Sequence, residues 1–133
     1  SLHREEPAMH ATTEDLTVLL QDEGGTDVRS IDFDEMAANI NRFAPGTDLG
    51  PLLAQLPGGD CSVPHWGYVI DGAFTVHYTD GQQETVTAGQ LFYMQPHHDR
   101  LTTNDGVVLA EFSPADDARQ LFGHIASIMQ AAG

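Results

Sequence analysis

Hydrophobic and polar residues alternate through the centre of the chain in short runs that are separated by turn residues. Residues 65–70 and 73–78 are two runs of this kind, rich in aromatic and β-branched side chains, and Asp71-Gly72 lies between them. An Asp-Gly pair in that position predicts a β-hairpin with a two-residue turn. Shorter runs lie at 84–87, 91–94 and 107–112, and a second Asp-Gly pair lies at 80–81. Strands of this length and spacing predict an antiparallel β-sandwich or barrel.

The predicted hairpin also assigns each side chain of its two strands to one of two faces. Opposite residues of a hairpin point the same way, and this register pairs Ile70 with Ala73. Both faces are then apolar. We expect the barrel interior to bury the inner face, and a second copy of the chain, rather than a C-terminal helix, to cover the outer face. The inner face carries His65, Gly67, Val69, Phe74, Val76 and Tyr78, and the outer face carries Trp66, Tyr68, Ile70, Ala73, Thr75 and His77.

The end of the chain has a helical periodicity instead. Ser113 is predicted to cap this helix, with Pro114 at its first position and acidic residues in its first turn. The pattern predicts a C-terminal helix over 114–131, with one apolar stripe that packs on the rest of the domain. The stripe consists of Leu121, Phe122, Ile125, Ile128 and Met129.

The remaining organisation is that of one domain. Residues 1–14 have no periodicity, so we expect a mobile lead-in there, followed by a single domain over 15–133. A chain of 133 residues is the usual size for one such domain. No apolar run reaches the roughly 18 residues of a membrane helix, and the N-terminus has no apolar signal core, so a cytoplasmic location is expected.

The charge of the chain excludes several classes of partner. The chain has 20 acidic residues against 5 basic ones, for a net charge of -15, and all the basic residues are arginines. We therefore expect no nucleic-acid partner and no anionic membrane partner, because both would need clustered cations. The lack of lysine also excludes Schiff-base and P-loop chemistry. A single cysteine, Cys61, excludes an intrachain disulfide.

Two stretches of the sequence resemble the cupin superfamily. They are residues 61–72, which contain PHWGYVIDG, and residues 88–99, which contain PHHD. They are similar to small single-domain bacterial cupins with a Pro-His-x-Gly-Tyr-Val first motif and a Pro-x-His-Asp second motif. This resemblance implies an all-β fold, a cupin β-barrel of jelly-roll type, commonly dimeric, with a small molecule or a divalent metal in its interior.

The metal motif of that superfamily is altered in this chain. The usual first motif has two histidines separated by one residue, and a glutamate seven residues before a conserved glycine. Counting back from Gly72 places His65 at the glutamate position, while the two histidine positions fall near Gly59 and Cys61. His98 stands near the histidine of the second motif. The resemblance therefore implies a metal held by His65 and His98 without the usual four-ligand set.

Two histidines need further ligands to hold a metal firmly, because protein sites normally supply three or four. Cys61, Glu111 and His97 are the weaker metal candidates, and the expected ion is a single divalent zinc, iron, nickel or manganese, with no other cofactor. The alternative is that His65 is a hydrogen-bonded core histidine and His98 a loop residue. The expected ligand pocket is lined by Val69, Phe74, Val76 and Tyr78.

Cys61 is also the only candidate for a thiol nucleophile. In an extended chain it would lie more than about ten ångströms from His65, at ~3.3 Å per residue, and a bend at Pro64 would shorten that distance. We favour a small buried thiol over a catalytic one.

The function predicted from the sequence is the binding of a small molecule in the barrel interior, with a histidine-held divalent metal. The alternative is a metal-dependent enzyme of dioxygenase or isomerase type that acts on a small metabolite. No residue of the sequence is assigned a catalytic role.

Overall fold

The computed structural model describes residues 8–132, so residues 1–7 of the expected lead-in lie outside the described part of the chain. Two short 3₁₀ turns lie at Thr13–Asp15 and Pro57–Gly59, and Gly50–Leu53 forms the short helix α1. Helix α2 spans Ala115–Ala132. The strands are β1 (Thr17–Gln21), β2 (Asp27–Phe33), β3 (Met36–Phe43), β4 (His65–Tyr78), β5 (Gln83–Thr87), β6 (Leu91–Met94), β7 (His98–Thr102) and β8 (Val107–Pro114).

All strand pairs are antiparallel, and the long strand β4 joins two sheets. The first sheet contains β1, β2, β3, β8, the first half of β4, and β6. The second sheet contains β5, the second half of β4, and β7. Sheet neighbours such as β3 and β8 are therefore far apart in the chain, as in a jelly roll. The predicted all-β barrel with a C-terminal helix is confirmed.

The prediction of a hairpin at Asp71-Gly72 is wrong. Strand β4 continues through this pair without reversing, and Asp71 and Gly72 lie opposite Val108 and Val107 of β8. The register shifts between Val69 and Asp71, and Gly72 has a φ of 77°, so the pair forms a β-bulge that bends the strand from one sheet to the other. The distant strands β8, β6, β5 and β7 supply the backbone partners that a local hairpin would otherwise provide.

The predicted division into inner and outer faces is nevertheless confirmed on β4. A bulge inserts one extra residue, so the inward side chains of β4 change from odd-numbered to even-numbered positions beyond it. The two-residue turn of the predicted hairpin produces the same change. His65, Val69 and Phe74 are buried as predicted, while Trp66 and Tyr68 are exposed. Both geometries therefore bring the same side chains into the interior.

The main core lies between the two sheets. Phe74 and Val69 are almost fully buried at its centre, and the ring of Phe74 meets the edge of Phe92 at a centroid distance of 5.2 Å. The other buried members of this core are Val28, Phe43, Val76, Val86, Met94, Leu101, Val107 and Leu109. The core fills one part of the barrel and leaves the opposite end to be closed by other elements.

Helix α2 and the segment between β3 and β4 close that end. Leu121 and Ile125 of α2 pack against Leu53, Leu56 and Val63 in a second apolar cluster. The helix begins one residue later than the predicted 114, because Ser113 and Pro114 remain in β8. Ser113 is thus not the predicted helix cap, and its hydroxyl lies against His65 instead. Across residues 8–132, no helix combines the length and apolar character that crossing a bilayer requires.

Candidate functional site

A cavity of about 80 Å³ lies between the inner face of the first sheet and helix α2. Most of its wall is apolar and comes from both the barrel and the helix. One end is polar and brings together groups from four strands and from the loop before β4. The apolar lining includes Phe43, Leu49, Leu101, Leu109, Phe122 and Ile125, and the polar lining consists of Asn41, Cys61, His65, His98 and Glu111.

Cys61, His65 and His98 form a buried cluster at the polar end, here called the Cys-His-His cluster. One ligand atom from each residue lies within 4.8 Å of the other two. Cys61 Sγ is 3.9 Å from His65 Nε2, and the two imidazole rings meet edge to face at 5.3 Å. Sequence reasoning expected the two histidines together, and the structure adds the thiol as their nearest sulfur donor.

Backbone pairing brings Cys61 to this position. The amide of Cys61 donates to the carbonyl of His98 at 2.9 Å, and the amide of His97 donates to the carbonyl of Cys61 at 2.7 Å. The loop before β4 therefore runs beside the start of β7 instead of extending away from His65. The distance of more than ten ångströms expected for an extended chain does not apply, because the loop is bent.

The other ring nitrogen of each histidine is held by a hydrogen bond. His98 Nδ1 donates to the carbonyl oxygen of Gln95 at 2.8 Å, since a carbonyl only accepts. His65 Nδ1 lies 2.6 Å from the hydroxyl of Ser113. The lone pair on Nε2 of His98 is consequently free, which is the arrangement seen in metal-binding histidines. His98 is the first residue of β7, so the alternative of a loop histidine is wrong.

Burial removes charge from the cluster. It lowers the pKa of His98 to about 4, because a protonated imidazole would be poorly solvated there. Burial also raises the pKa of Cys61 to about 11, and the nearby Glu111 and Asp60 carboxylates raise it further. At neutral pH and without a bound ion, Cys61 is therefore a protonated thiol. This supports the interpretation of Cys61 as a buried thiol and not a free nucleophile.

A second polar group lies beside the cluster on strands β3 and β8. Asn41 Nδ2 donates to Glu111 Oε1 at 2.9 Å, and Asn39 lies opposite Glu111 in the sheet register. Within the described part of the chain, the buried Oδ1 atoms of Asn39 and Asn41 have no hydrogen-bond partner. Each unpaired buried acceptor costs about 1–3 kcal/mol. The two amide oxygens are therefore able to accept hydrogen bonds from a molecule bound in the interior.

Sequence reasoning missed Asn39, Asn41 and Ser113. The signal for the asparagines was present, because Asn39, Asn41 and Phe43 alternate onto one face of β3 and Phe43 belongs to the core. Asparagine is depleted in strands, so two of them on an inward face mark a polar interior. No sequence signal pointed to Ser113, which the pattern assigned to a helix cap.

The remaining metal candidates take different positions. Glu111 lies on the cavity wall beside the cluster but is not one of its three members. The side chain of His97 is 65% exposed, and Nδ1 lies 3.2 Å from Asp60 Oδ1 on the surface. His97 therefore points away from His65 and Cys61, as its neighbour His98 points inward.

The residues expected to line the ligand pocket lie outside this cavity. Val69, Phe74 and Val76 are packed in the main core, with exposures of 2% or less. The hydroxyl of Tyr78 accepts a hydrogen bond from the amide of Gln95 at 3.1 Å, and Tyr78 lines a separate surface depression. The cavity instead takes its lining from the other strands of the first sheet, from β7, from both helices and from the loop before β4, and the residue that β4 contributes to it is His65.

The donor set of the Cys-His-His cluster fits a transition-metal ion. In a tetrahedral zinc site with Zn–S about 2.3 Å and Zn–N about 2.0 Å, sulfur and nitrogen lie about 3.5 Å apart. The observed 3.9 Å between Cys61 Sγ and His65 Nε2 is within a few tenths of an ångström of that value. A thiolate with two imidazoles suits zinc and other borderline ions better than the hard cations that prefer oxygen.

Comparison with known proteins shows similarity at the level of the fold. No family model matches the sequence, and no curated protein does. A solved RmlC-like cupin from Shewanella frigidimarina superposes with a TM-score of 0.57 at 22% identity, covering 80% of this chain and 90% of that one. An oxalate decarboxylase from Bacillus subtilis, described as having Mn(II) centres, superposes with a TM-score of 0.58 at 17% identity.

That second similarity covers 84% of this chain and 30% of the decarboxylase chain, so this chain corresponds to less than a third of its length. The fold of this chain is the cupin jelly roll.

Proposed function

We propose that this protein binds a small molecule in its barrel cavity through a metal ion held by Cys61, His65 and His98. One observation carries the proposal: three ligand atoms lie within 4.8 Å of one another at the polar end of an otherwise apolar cavity. Cavities of this kind, with an apolar wall and a few convergent polar groups, are the usual form of small-molecule sites.

Zinc is the ion that we propose among the four expected from the sequence. A thiolate and two imidazoles form a common zinc donor set, whereas manganese prefers carboxylate and water oxygens. The Mn(II) centres of the similar decarboxylase are therefore not carried over to this chain. Bound zinc would supply a Lewis-acidic centre and would keep Cys61 as a thiolate, with release of its proton.

Each residue of the cluster has a distinct part in this site. Cys61 supplies the only anionic ligand, and His65 and His98 supply neutral nitrogens through Nε2. Ser113 and the carbonyl of Gln95 hold the two rings in place. With three protein ligands, a bound ion would have a coordination position left for the donor atom of a small molecule in the cavity.

A metal-dependent enzyme of dioxygenase or isomerase type is the second candidate. The observation that favours it is the carboxylate of Glu111, which is 8% exposed and lies on the wall of the same cavity. A carboxylate beside an open coordination position is suited to proton transfer. Chemical conversion of a bound molecule, lost in Glu111→Gln, would select this candidate over binding alone.

We also propose that the outer face of the first sheet associates with a second copy of the chain. This outer face, defined as Trp66, Tyr68, Ile70, Tyr93 and Phe112, has exposures between 41% and 49%. Trp66 and Tyr93 stack on it at a centroid distance of 5.2 Å. A contiguous apolar patch of five large side chains is typical of a protein interface.

The reduced thiol that the metal site requires is consistent with the cytoplasmic location expected from the sequence.

Metal analysis of protein purified without a histidine tag tests the proposed site. After incubation with a zinc salt and removal of the unbound ion, we expect one zinc ion per chain in the wild-type protein. The same measurement on His65→Ala, His98→Ala and Cys61→Ser should give little or none. His97→Ala is the matched control, because His97 adjoins His98 in sequence but lies on the surface, and it should retain the zinc.

Cobalt substitution gives a second readout of the same site. A thiolate-to-cobalt absorption band is expected in the wild-type protein and in His97→Ala, and it should be absent in Cys61→Ser. Circular dichroism of each variant establishes that it is folded. Substoichiometric zinc that no substitution changes would contradict the metal site.

A further inference from the structure

The polar wall beside the Cys-His-His cluster is built from hydrogen-bond acceptors. Glu111 is 8% exposed and Asn41 is 4% exposed, and both line the cavity. Asn41 Nδ2 donates to Glu111 Oε1 at 2.9 Å. The Oδ1 atom of Asn41 has no partner among the described residues. A molecule bound in the cavity therefore meets a carboxylate and an unpaired amide oxygen.

The orientation of the Asn41 amide follows from its neighbour. Reversing the amide would place its oxygen 2.9 Å from the Glu111 carboxylate oxygen, and neither atom could donate. The nitrogen of Asn41 must then face Glu111, which leaves Oδ1 as the free group. Asn39 adds a second buried Oδ1 without a partner in the described chain, directly across the sheet from Glu111.

Among the described residues, neither arginine nor lysine lines the cavity to bind an anion. None of its lining residues, all within the described range 8–132, is an arginine, and the chain has no lysine. Three of the described arginines are paired with aspartates elsewhere: Arg29 with Asp27, Arg100 with Asp48, and Arg119 with Asp32 and Asp116.

Charge balance leads to the same conclusion for the metal-loaded site. A divalent ion carries two positive charges, and the Cys61 thiolate and the Glu111 carboxylate carry one negative charge each. The polar end is then neutral before any ligand arrives. A carboxylate ligand would leave one negative charge unbalanced in a buried cavity, which is unfavourable, whereas a neutral ligand would leave the balance unchanged.

We infer that the cavity selects a small neutral molecule that donates a hydrogen bond from a hydroxyl or amine group next to a short apolar skeleton, and that it discriminates against carboxylates. The inference rests on the proposed function and specifies its ligand class. An oxygen or nitrogen lone pair of such a molecule can face the ion while its hydrogen is donated to Asn41 Oδ1. The volume of about 80 Å³ limits the enclosed part to a few non-hydrogen atoms.

Two probes with the same number of carbon atoms test this selectivity: 1,2-propanediol and propionate. The chemical shifts of the protein amides are followed by NMR during titration of the zinc-loaded protein and of the metal-free protein. We expect the diol to shift resonances of residues around Asn41 and Glu111 and to bind at least ten-fold more tightly than propionate. Equal or tighter binding of propionate would overturn the inference, as would the absence of any shift with the diol.

Two substitutions test the roles of Asn41 and Glu111 in binding the probes. Asn41→Leu should weaken binding of the diol about three- to ten-fold, the loss expected for one hydrogen bond, without a gain for propionate. Glu111→Gln should narrow the difference between diol and propionate, because it removes the carboxylate that repels the anion. Glu84→Gln, which alters an exposed carboxylate on β5, is the matched control and should leave both affinities unchanged.

The order of the probes also distinguishes this inference from the proposed metal site. Glu111 and Asn41 accept hydrogen bonds with or without zinc, so the diol should be preferred in both forms. If zinc does not bind and the preference remains, only the metal proposal fails. If zinc binds and propionate is preferred, only the present inference fails.

Discussion

The hydroxyl of Ser113 lies 2.6 Å from Nδ1 of His65. This contact links the end of β8 to the first residue of β4. The two residues are 48 positions apart in the chain. The contact holds the His65 ring with Nε2 toward Cys61, at the polar end of the cavity. The orientation of one proposed ligand thus depends on a residue of a neighbouring strand.

Substitution of Ser113 should therefore weaken metal binding without removing a ligand. Ser113→Ala leaves His65 free to rotate, and loss of such a hydrogen bond typically costs 10- to 100-fold in metal affinity. Competition with a chromogenic chelator measures this change. Ser127→Ala is the control, because that hydroxyl contacts only the exposed helix backbone at Gly123. An unchanged affinity in Ser113→Ala would show that packing alone orients the ring.

Burial of His98 predicts a pH dependence of stability in the metal-free protein. The pKa of His98 falls from 6.5 to about 4 on folding, so the unfolded chain binds more protons between these values. Stability is complete above pH 6.5 and declines as the pH falls to about 4, by roughly 3 kcal/mol in total.

Urea unfolding of chelator-treated protein across this pH range measures the decline. His98→Asn lacks the titrating group, so the difference in unfolding free energy between the wild-type protein and this variant should shrink as the pH falls. A difference that stays constant with pH would mean that His98 titrates normally in the folded protein. His97→Asn, which alters an exposed histidine, should show the wild-type dependence.

Charge on the outer face should prevent self-association. Trp66 is 43% exposed on this face, where it stacks on Tyr93. If a second copy covers the face, Trp66→Glu buries an unpaired carboxylate at the interface, and the protein should sediment as a monomer. Met129→Glu is the control, because Met129 is similarly exposed on α2. Equal masses for Trp66→Glu and the wild-type protein would contradict this interface.

The bulge in β4 predicts different costs for two glycine substitutions with the same backbone conformation. Gly72 and Gly46 have φ values of 77° and 82°. A methyl group on Gly72 would collide with the backbone carbonyl of Gly106, whereas nothing lies within 4 Å of that position on Gly46. Gly46→Ala should cost about 1–2 kcal/mol of unfolding free energy from its φ alone. Gly72→Ala should cost clearly more in the same urea titration, and equal losses would show that the bend adjusts freely.

The strands and the helix were predictable because their signals are local. Alternation identified the inner residues of β4, and the apolar stripe of α2 placed its start and end within one residue of those observed. The hairpin prediction failed at Asp71-Gly72 because the same dipeptide that favours a turn also accommodates a bulge. Only the pairing of β4 with β8, which is distant in sequence, decides between them.

The candidate site was predictable in part. The motif positions pointed to His65 and His98, which lie together in the interior. Cys61 was a weaker metal candidate, and its short distance from His65 depends on a loop bent by pairing with β7. Asn39 and Asn41 were missed although they alternate with Phe43 on one face of β3, and their position opposite β8 follows only from the tertiary structure.

The sequence by itself determined which side chains of β4 face inward and that Leu121 and Ile125 of α2 do, because that property depends on residues two to four positions apart. It also determined the acidic surface, the lack of lysine and the presence of a single thiol. The tertiary structure alone decided which strands pair with β4, which groups surround the cavity and which polar atoms remain without partners. These features depend on residues brought together from distant parts of the chain, and local patterns do not encode the distances between such residues.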